Sequence, residues 1–220
     1  MRNGHLGTCA ALLAALLLAG AAAPARAELV INEVLASPAR DWNGDGTVSS
    51  RDDEWVEIYN PADTPVALDG YRLADADTTW RFALTGTLGP RARLVVFGSD
   101  AYAWEKATHH PAYGLSLNNG GDTVRLWKFS GADSVQVDAV TYGAVEGGSD
   151  RGYGRFPDGA GSWKLFDALD PAPAGSNPPG TGCGPTPGAA NGCPSPAVAT
   201  SWGQLRLLYG PRGKGGGRTP

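Results

Sequence analysis

The chain has 220 residues, with 18 Lys and Arg against 22 Asp and Glu and a formal net charge of −4 at pH 7. That balance argues against a nucleic-acid surface, which needs a basic patch. Gly and Pro together supply 49 residues, enough for many tight turns, while the 42% hydrophobic content leaves material for a sizeable core.

Residues 1–27 read as a secretory signal peptide. Arg2 precedes the apolar run "CAALLAALLLAGAAA" at 9–23, and Ala25 and Ala27 stand where a signal peptidase cuts. The run is 15 residues long, short of the about 20 that a membrane helix needs. Cys9 opens the run and does not follow it, so a lipid anchor is not expected. The mature chain is expected to start near Glu28, with 193 residues, a charge of about −6 and no membrane-spanning segment. It is expected to be secreted or held at the cell surface.

From 28 to 170 helical periodicity is nearly absent. Short runs rich in β-branched and aromatic residues take its place: 29–35, 54–60, 71–75, 79–84, 93–98, 122–129, 134–143 and 162–166. Asn60-Pro61, Asp69-Gly70, Gly89-Pro90, the Asn118–Gly121 stretch and Ser130-Gly131 supply turns between them. In "DTVRLWKF", Val124, Leu126 and the Lys128 stem face one way, and Thr123, Arg125 and Trp127 the other. An antiparallel sandwich or barrel follows. The segment 101–113 reads as one short helix or a long loop.

Between the first two strands lies "DWNGDGTVSSRD", residues 41–52. Calcium takes six to eight oxygens, and a twelve-residue loop can supply them from positions 1, 3, 5, 7, 9 and 12 around a Gly at 6. Here those positions hold Asp41, Asn43, Asp45, Thr47 (through its carbonyl), Ser49 and Asp52, with Gly46 at the turn. Val48 is expected to pack. Asp52 stands where Glu is usual and is one methylene shorter, so Asp53 or Glu54 could take its place. A soluble acidic turn is the plainer alternative. If calcium binds, the expected role is structural, because strands and not paired helices flank the loop.

From Pro171 to Pro196, 14 of 26 residues are Pro or Gly, so 171–197 reads as an extended wrap that closes the domain. It carries Cys183 and Cys193, the two cysteines left after signal removal, which are expected to form a disulfide in an oxidising compartment. In 198–220, Trp202, Leu205 and Leu208 have the spacing of a short amphipathic helix, followed by the basic "RGKGGGRTP". Surface attachment through this tail and a frayed end are the two readings of it.

Taken in order, "LVINEV", "DEWVEIYNPADTPVALDGYRLAD", "LGPRARLVVFG", "GLSLNNGGDTVRLW", "DSVQVDAVTYG", "YGRFPDGAGSW" and "PTPGAANG" resemble the lamin-tail domain of secreted bacterial proteins, over about 29–192. The resemblance implies an all-β, immunoglobulin-like antiparallel sandwich over 28–170 with a Pro/Gly-rich C-terminal extension. It also implies a non-catalytic accessory or binding module.

No residue set argues strongly for catalysis. The motifs G-x-S-x-G, H-E-x-x-H and a phosphate loop are missing. His109 and His110 are adjacent, so they point apart and read as a surface pair. Glu33, Glu54 and Glu57 could be pictured as an acid/base set, but Glu57 on an alternating strand reads as a solvent-face charge. The seven Trp are spread along the chain and read mostly as core or caps. The expected function is an exported, non-catalytic binding or structural module whose partner is an unknown protein or polysaccharide at the cell surface. The alternatives are a calcium-dependent carbohydrate-binding module and, behind it, an accessory part of a secreted hydrolase or nuclease system. Exposed aromatics clustered beside the 41–52 loop would favour sugar binding. Buried carboxylates or a His converging in a cleft would favour an enzyme.

Overall fold

The computed structural model describes residues 28–193. The signal peptide expected at 1–27 and the amphipathic tail expected at 198–220 lie outside that range. In chain order the elements are β1 (Val30–Leu35), β2 (Trp55–Tyr59), β3 (Val66–Ala67), β4 (Tyr71–Ala74), β5 (Trp80–Ala83), β6 (Thr87–Leu88), β7 (Arg93–Phe97), α1 (Gly98–Ala107), β8 (Gly121–Ser130), β9 (Asp133–Gly143), β10 (Gly152–Phe156) and β11 (Ser162–Phe166). β11-β10-β1-β2-β7 form one sheet, β5-β4-β8-β9 a second, and β3-β6 a small ribbon. Every named pairing is antiparallel.

The two large sheets enclose one core. Ile31, Val34, Val56, Ile58 and Val96 come from the first sheet; Tyr71, Leu73, Val124, Leu126, Val140 and Tyr142 come from the second. Burial of these β-branched and aromatic side chains drives the sandwich at roughly 25 cal/mol per Å² of apolar surface. The alternation read in "DTVRLWKF" holds: Val124 and Leu126 are buried, while Thr123, Arg125 and Trp127 are partly exposed. A bulge between Leu126 and Trp127 shifts the register there.

The 101–113 segment does contain a helix, and it begins earlier, at Gly98. Asp100 accepts the Phe97 N–H at 3.0 Å, covering one donor at the helix start. Gly98 is required by space, since a Cβ there would collide with the Arg51 carbonyl. No described helix is long and apolar enough to cross a membrane.

One reading of the sequence is overturned. Glu57 lies on an alternating strand, yet it is fully buried, as are Glu33, Asn32 and Trp55. β1 and β2 are therefore covered on both faces. The second cover is the 171–193 strap, which returns across the outer face of the first sheet. Thr181 donates its N–H to the Leu165 carbonyl at 2.9 Å, and the buried Asp167 accepts the N–H groups of Ala172 (2.9 Å) and Gly182 (2.8 Å).

Cys183 and Cys193 are joined in a disulfide, with Cα atoms 4.9 Å apart. It closes an 11-residue ring at the end of the strap. Loss of the bond in Cys183→Ala/Cys193→Ala is expected to lower unfolding free energy by roughly 2–3 kcal/mol through the unfolded chain's added freedom. Urea titration of oxidised protein and variant measures this. Coincident curves would mean the strap is held by its other contacts alone.

Candidate functional site

The loop between β1 and β2 is wound by its own side chains. Asp41 accepts N–H groups from Gly44 (2.8 Å), Asp45 (3.1 Å) and Gly46 (2.8 Å). Asn43 accepts from Asp45 at 2.9 Å and Asp45 from Thr47 at 2.8 Å. Gly44 and Gly46 take φ of +76° and +91°, which other residues adopt only at a cost. Asp41, Asn43 and Asp45 thus sit on one tight turn, as their spacing predicts.

The far end of the loop is tied down by Arg51 and Asp53. Asp52 is held by Arg51, Nε to Oδ1 at 2.6 Å and a guanidinium NH2 to Oδ2 at 2.9 Å, and Ser49 Oγ donates to it at 3.1 Å. The Arg51 hydrogen bond holds the Asp52 carboxyl below its usual pKa. Asp53, the neighbouring acid, is turned inward. Fully buried, it accepts the N–H groups of Trp42 (2.7 Å), Asn43 (2.9 Å) and Ser49 (2.8 Å), and so pins both ends of the loop to the sandwich. Val48 does not pack but is 57% exposed. Among the described residues, no three His, Cys, Asp or Glu side chains form a metal-holding group.

Glu54, the other substitute, is 5% exposed. It lines a cleft of about 320 Å³ with Ser50, Arg51, Tyr113, Leu117 and Asn118. It accepts the Leu117 N–H at 3.1 Å, and burial pushes its carboxyl up to about 8. The opposite wall hangs on an ionic relay. Arg81, 5% exposed, bridges Asp75 and Glu105, and Glu105 accepts the N–H groups of Tyr113 and Gly114, both at 2.7 Å. His110 stacks on Trp104 with ring centroids 4.8 Å apart, and the neighbouring His109 is exposed.

A second set of acids lies under the strap. Glu33 accepts the Thr186 hydroxyl at 3.0 Å, Glu57 the Gly188 N–H at 2.7 Å, and Asp158 the Asn191 N–H at 3.0 Å. Arg93 pairs with Asp158 and stands 3.8 Å from Glu57. Burial, then the Glu57 charge, pushes Glu33 up to about 8, and its Oε1 has no partner. These acids fasten a backbone segment, so their oxygens are occupied or covered and not presented to a substrate. Sequence reasoning missed this. The available signal was Gly152 and Gly154, two apart on one face of β10, where any Cβ would collide with the Glu33 side chain.

Trp42, Trp55 and Tyr102 lie at the 41–53 loop, Tyr102 beneath the Arg51 guanidinium at 4.0 Å. Trp42 packs edge-on against the buried Trp55, and its indole N–H donates to Asp150 at 2.8 Å. Of the described Trp residues only Trp55 is fully buried; Trp80 and Trp127 meet, together with Phe129, on strands β5 and β8.

A family model described as Lamin Tail Domain matches residues 22–144. The chain belongs to the lamin tail domain family. No curated protein and no solved structure matches it. The lamin-tail match ends one residue after β9, so β10, β11 and the strap lie beyond it. The lamin tail domain is a non-enzymatic, immunoglobulin-like module, in accord with the two packed antiparallel sheets. Within that frame, the 41–53 loop and the Glu54 cleft lie inside the matched span. The strap that covers Glu33 and Glu57 lies outside it.

Proposed function

We propose that this protein is an exported, non-catalytic binding or structural module and that its 41–52 loop binds one calcium ion in a structural role. Export rests on the signal-peptide pattern of 1–27, and the Cys183–Cys193 disulfide supports an oxidising compartment. The calcium reading is carried by the turn that Asp41, Asn43 and Asp45 build. Its backbone is already ordered by Asx contacts and its ends are pinned by Asp53, so little chain entropy remains to be lost on binding. Asp52 completes the set only by giving up Arg51, which makes the guanidinium a built-in competitor for the metal.

Titration calorimetry on chelator-stripped protein is expected to show one site with Kd of about 10⁻⁴–10⁻³ M, the range of extracellular modules. Asp45→Ala abolishes the heat, and Arg51→Gln tightens binding several-fold by freeing Asp52. Absence of heat at millimolar calcium would overturn the proposal. Unchanged affinity in Arg51→Gln would show that Asp52 is not a ligand.

A carbohydrate ligand is the second reading, favoured by the partly exposed Trp80, Trp127 and Phe129. It is not tied to calcium, since β5 and β8 contribute no residue to the loop.

A further inference from the structure

The outer face of the four-stranded sheet has a chemistry unlike the rest of this acidic chain. Arg72 on β4 is paired across the sheet with Trp127 on β8, and Ala74 is flanked by Trp80 on β5 and Arg125 on β8. These side chains point away from the core, whose share of the same strands is Tyr71, Leu73, Val124 and Leu126. Trp80 meets Trp127 at a centroid distance of 6.1 Å and an interplanar angle of 88°, and Phe129 at 5.2 Å and 75°. Rings packed edge to face hold one another in place. They make a stepped surface, not a flat one.

Two positive charges border the rings. The Arg72 guanidinium lies 4.5 Å from the Phe129 centroid and 5.7 Å from that of Trp80. Arg125 donates only to carbonyls, those of Asp75 (2.8 Å) and Ala76 (3.0 Å). Among the described residues neither arginine has a carboxylate within ion-pair distance, whereas most other arginines of the domain do. Asp77, on the turn beside Arg125, is itself turned toward Arg81 at 3.9 Å. Uncompensated guanidinium groups set among aromatic rings match a ligand with apolar ring faces and carboxylate groups.

We infer that this face binds an acidic polysaccharide, with Trp80, Trp127 and Phe129 against the C–H faces of its sugar rings and Arg72 and Arg125 on its carboxylates. The inference rests on the reading of the protein as a binding module and names the class of ligand. Nucleic acid also stacks on aromatic sheet faces, but it carries a phosphate at every residue. Tight binding there neutralises a run of phosphates with a matching set of Lys and Arg. Two arginines on a chain of net charge −4 fit a sparser charge. The stepped rings suit a single soluble chain and not a flat crystalline surface.

Affinity electrophoresis of the full chain in gels containing polygalacturonate, dextran or no polymer tests this. Retardation is expected with polygalacturonate and not with dextran, weakening as salt is raised. Trp80→Ala and the pair Arg72→Gln/Arg125→Gln are each expected to weaken it at least tenfold. Both arginines are only partly buried, so that pair guards against an answer that reflects unfolding; circular dichroism checks both variants. No retardation by polygalacturonate, equal retardation by dextran, or undiminished retardation of the arginine variant would each overturn the inference. So would preferential binding of a single-stranded DNA oligomer, or sedimentation showing a dimer that Trp80→Ala dissolves. Release of reducing ends from the polymer is measured in parallel. Cleavage would refute the non-catalytic reading while leaving the binding face in place.

Discussion

Arg81→Met is expected to lower unfolding free energy by about 3–5 kcal/mol. Arg81 is 5% exposed and serves two buried acids at once, Asp75 through Nε and NH2 and Glu105 through NH1. Without it, two carboxylates remain in a low-dielectric interior with no counter-charge. Burial already pushes Asp75 up to about 6 with the arginine present. Arg81→Lys should be intermediate, since an ammonium keeps the charge and loses the planar fork. The loss should also reach the cleft, because Glu105 holds the backbone of Tyr113 and Gly114. Urea unfolding gives the stability, and amide exchange at Tyr113 and Gly114 gives the local effect. A cost below 1 kcal/mol would mean that the acids relax into water and that the relay is not structural.

Unfolding free energy is expected to fall as pH rises from about 5 to 8, opposite to the usual behaviour of surface carboxylates. Burial raises Glu33 from an ordinary 4.5 to about 8 in the folded protein. Between those two values the folded state holds a proton that the unfolded state has released. Stability then declines with pH until the folded-state carboxyl also ionises. At 1.36 kcal/mol per pH unit, Glu33 alone accounts for a change on the order of 4 kcal/mol. Glu54 and Glu57 are raised by burial as well and act in the same direction. Glu33→Gln keeps the acceptor for Thr186 and removes the titration. It should match the natural protein near pH 5, exceed it at pH 8 and flatten the profile. Unfolding in urea at both pH values decides. A natural protein as stable at pH 8 as at pH 5, or a glutamine variant that keeps the full slope, would show that Glu33 is ionised beneath the strap.

Strands were legible wherever local chemistry and burial agreed. In "LVVF" and "VRLW" the β-branched and aromatic residues report the core face directly, and β7 and β8 lie where the pattern places them. β10 was not read as a strand because Gly152 and Gly154 lower local β preference. Their purpose is to make room for Glu33, 119 and 121 positions away in sequence. The loop at 41–52 was legible as a turn, since Asp41, Asn43, Asp45 and the glycines act within five residues of one another. The partners at its far end were not, because Arg51 takes Asp52 and Asp53 serves as the anchor.

By itself the sequence determined what short-range physics controls: the strand-rich sandwich, the wound acidic turn, the pairing of two cysteines and the family. The tertiary structure alone decided which polar residues are inside. Glu57 alternates like a solvent-face charge, and only the returning strap, 131 residues further on at Gly188, removes it from water. It likewise brought Arg72, Trp80 and Phe129 from three strands onto one face. Burial and convergence depend on what packs against a residue from far along the chain, and periodicity within one strand carries no record of that.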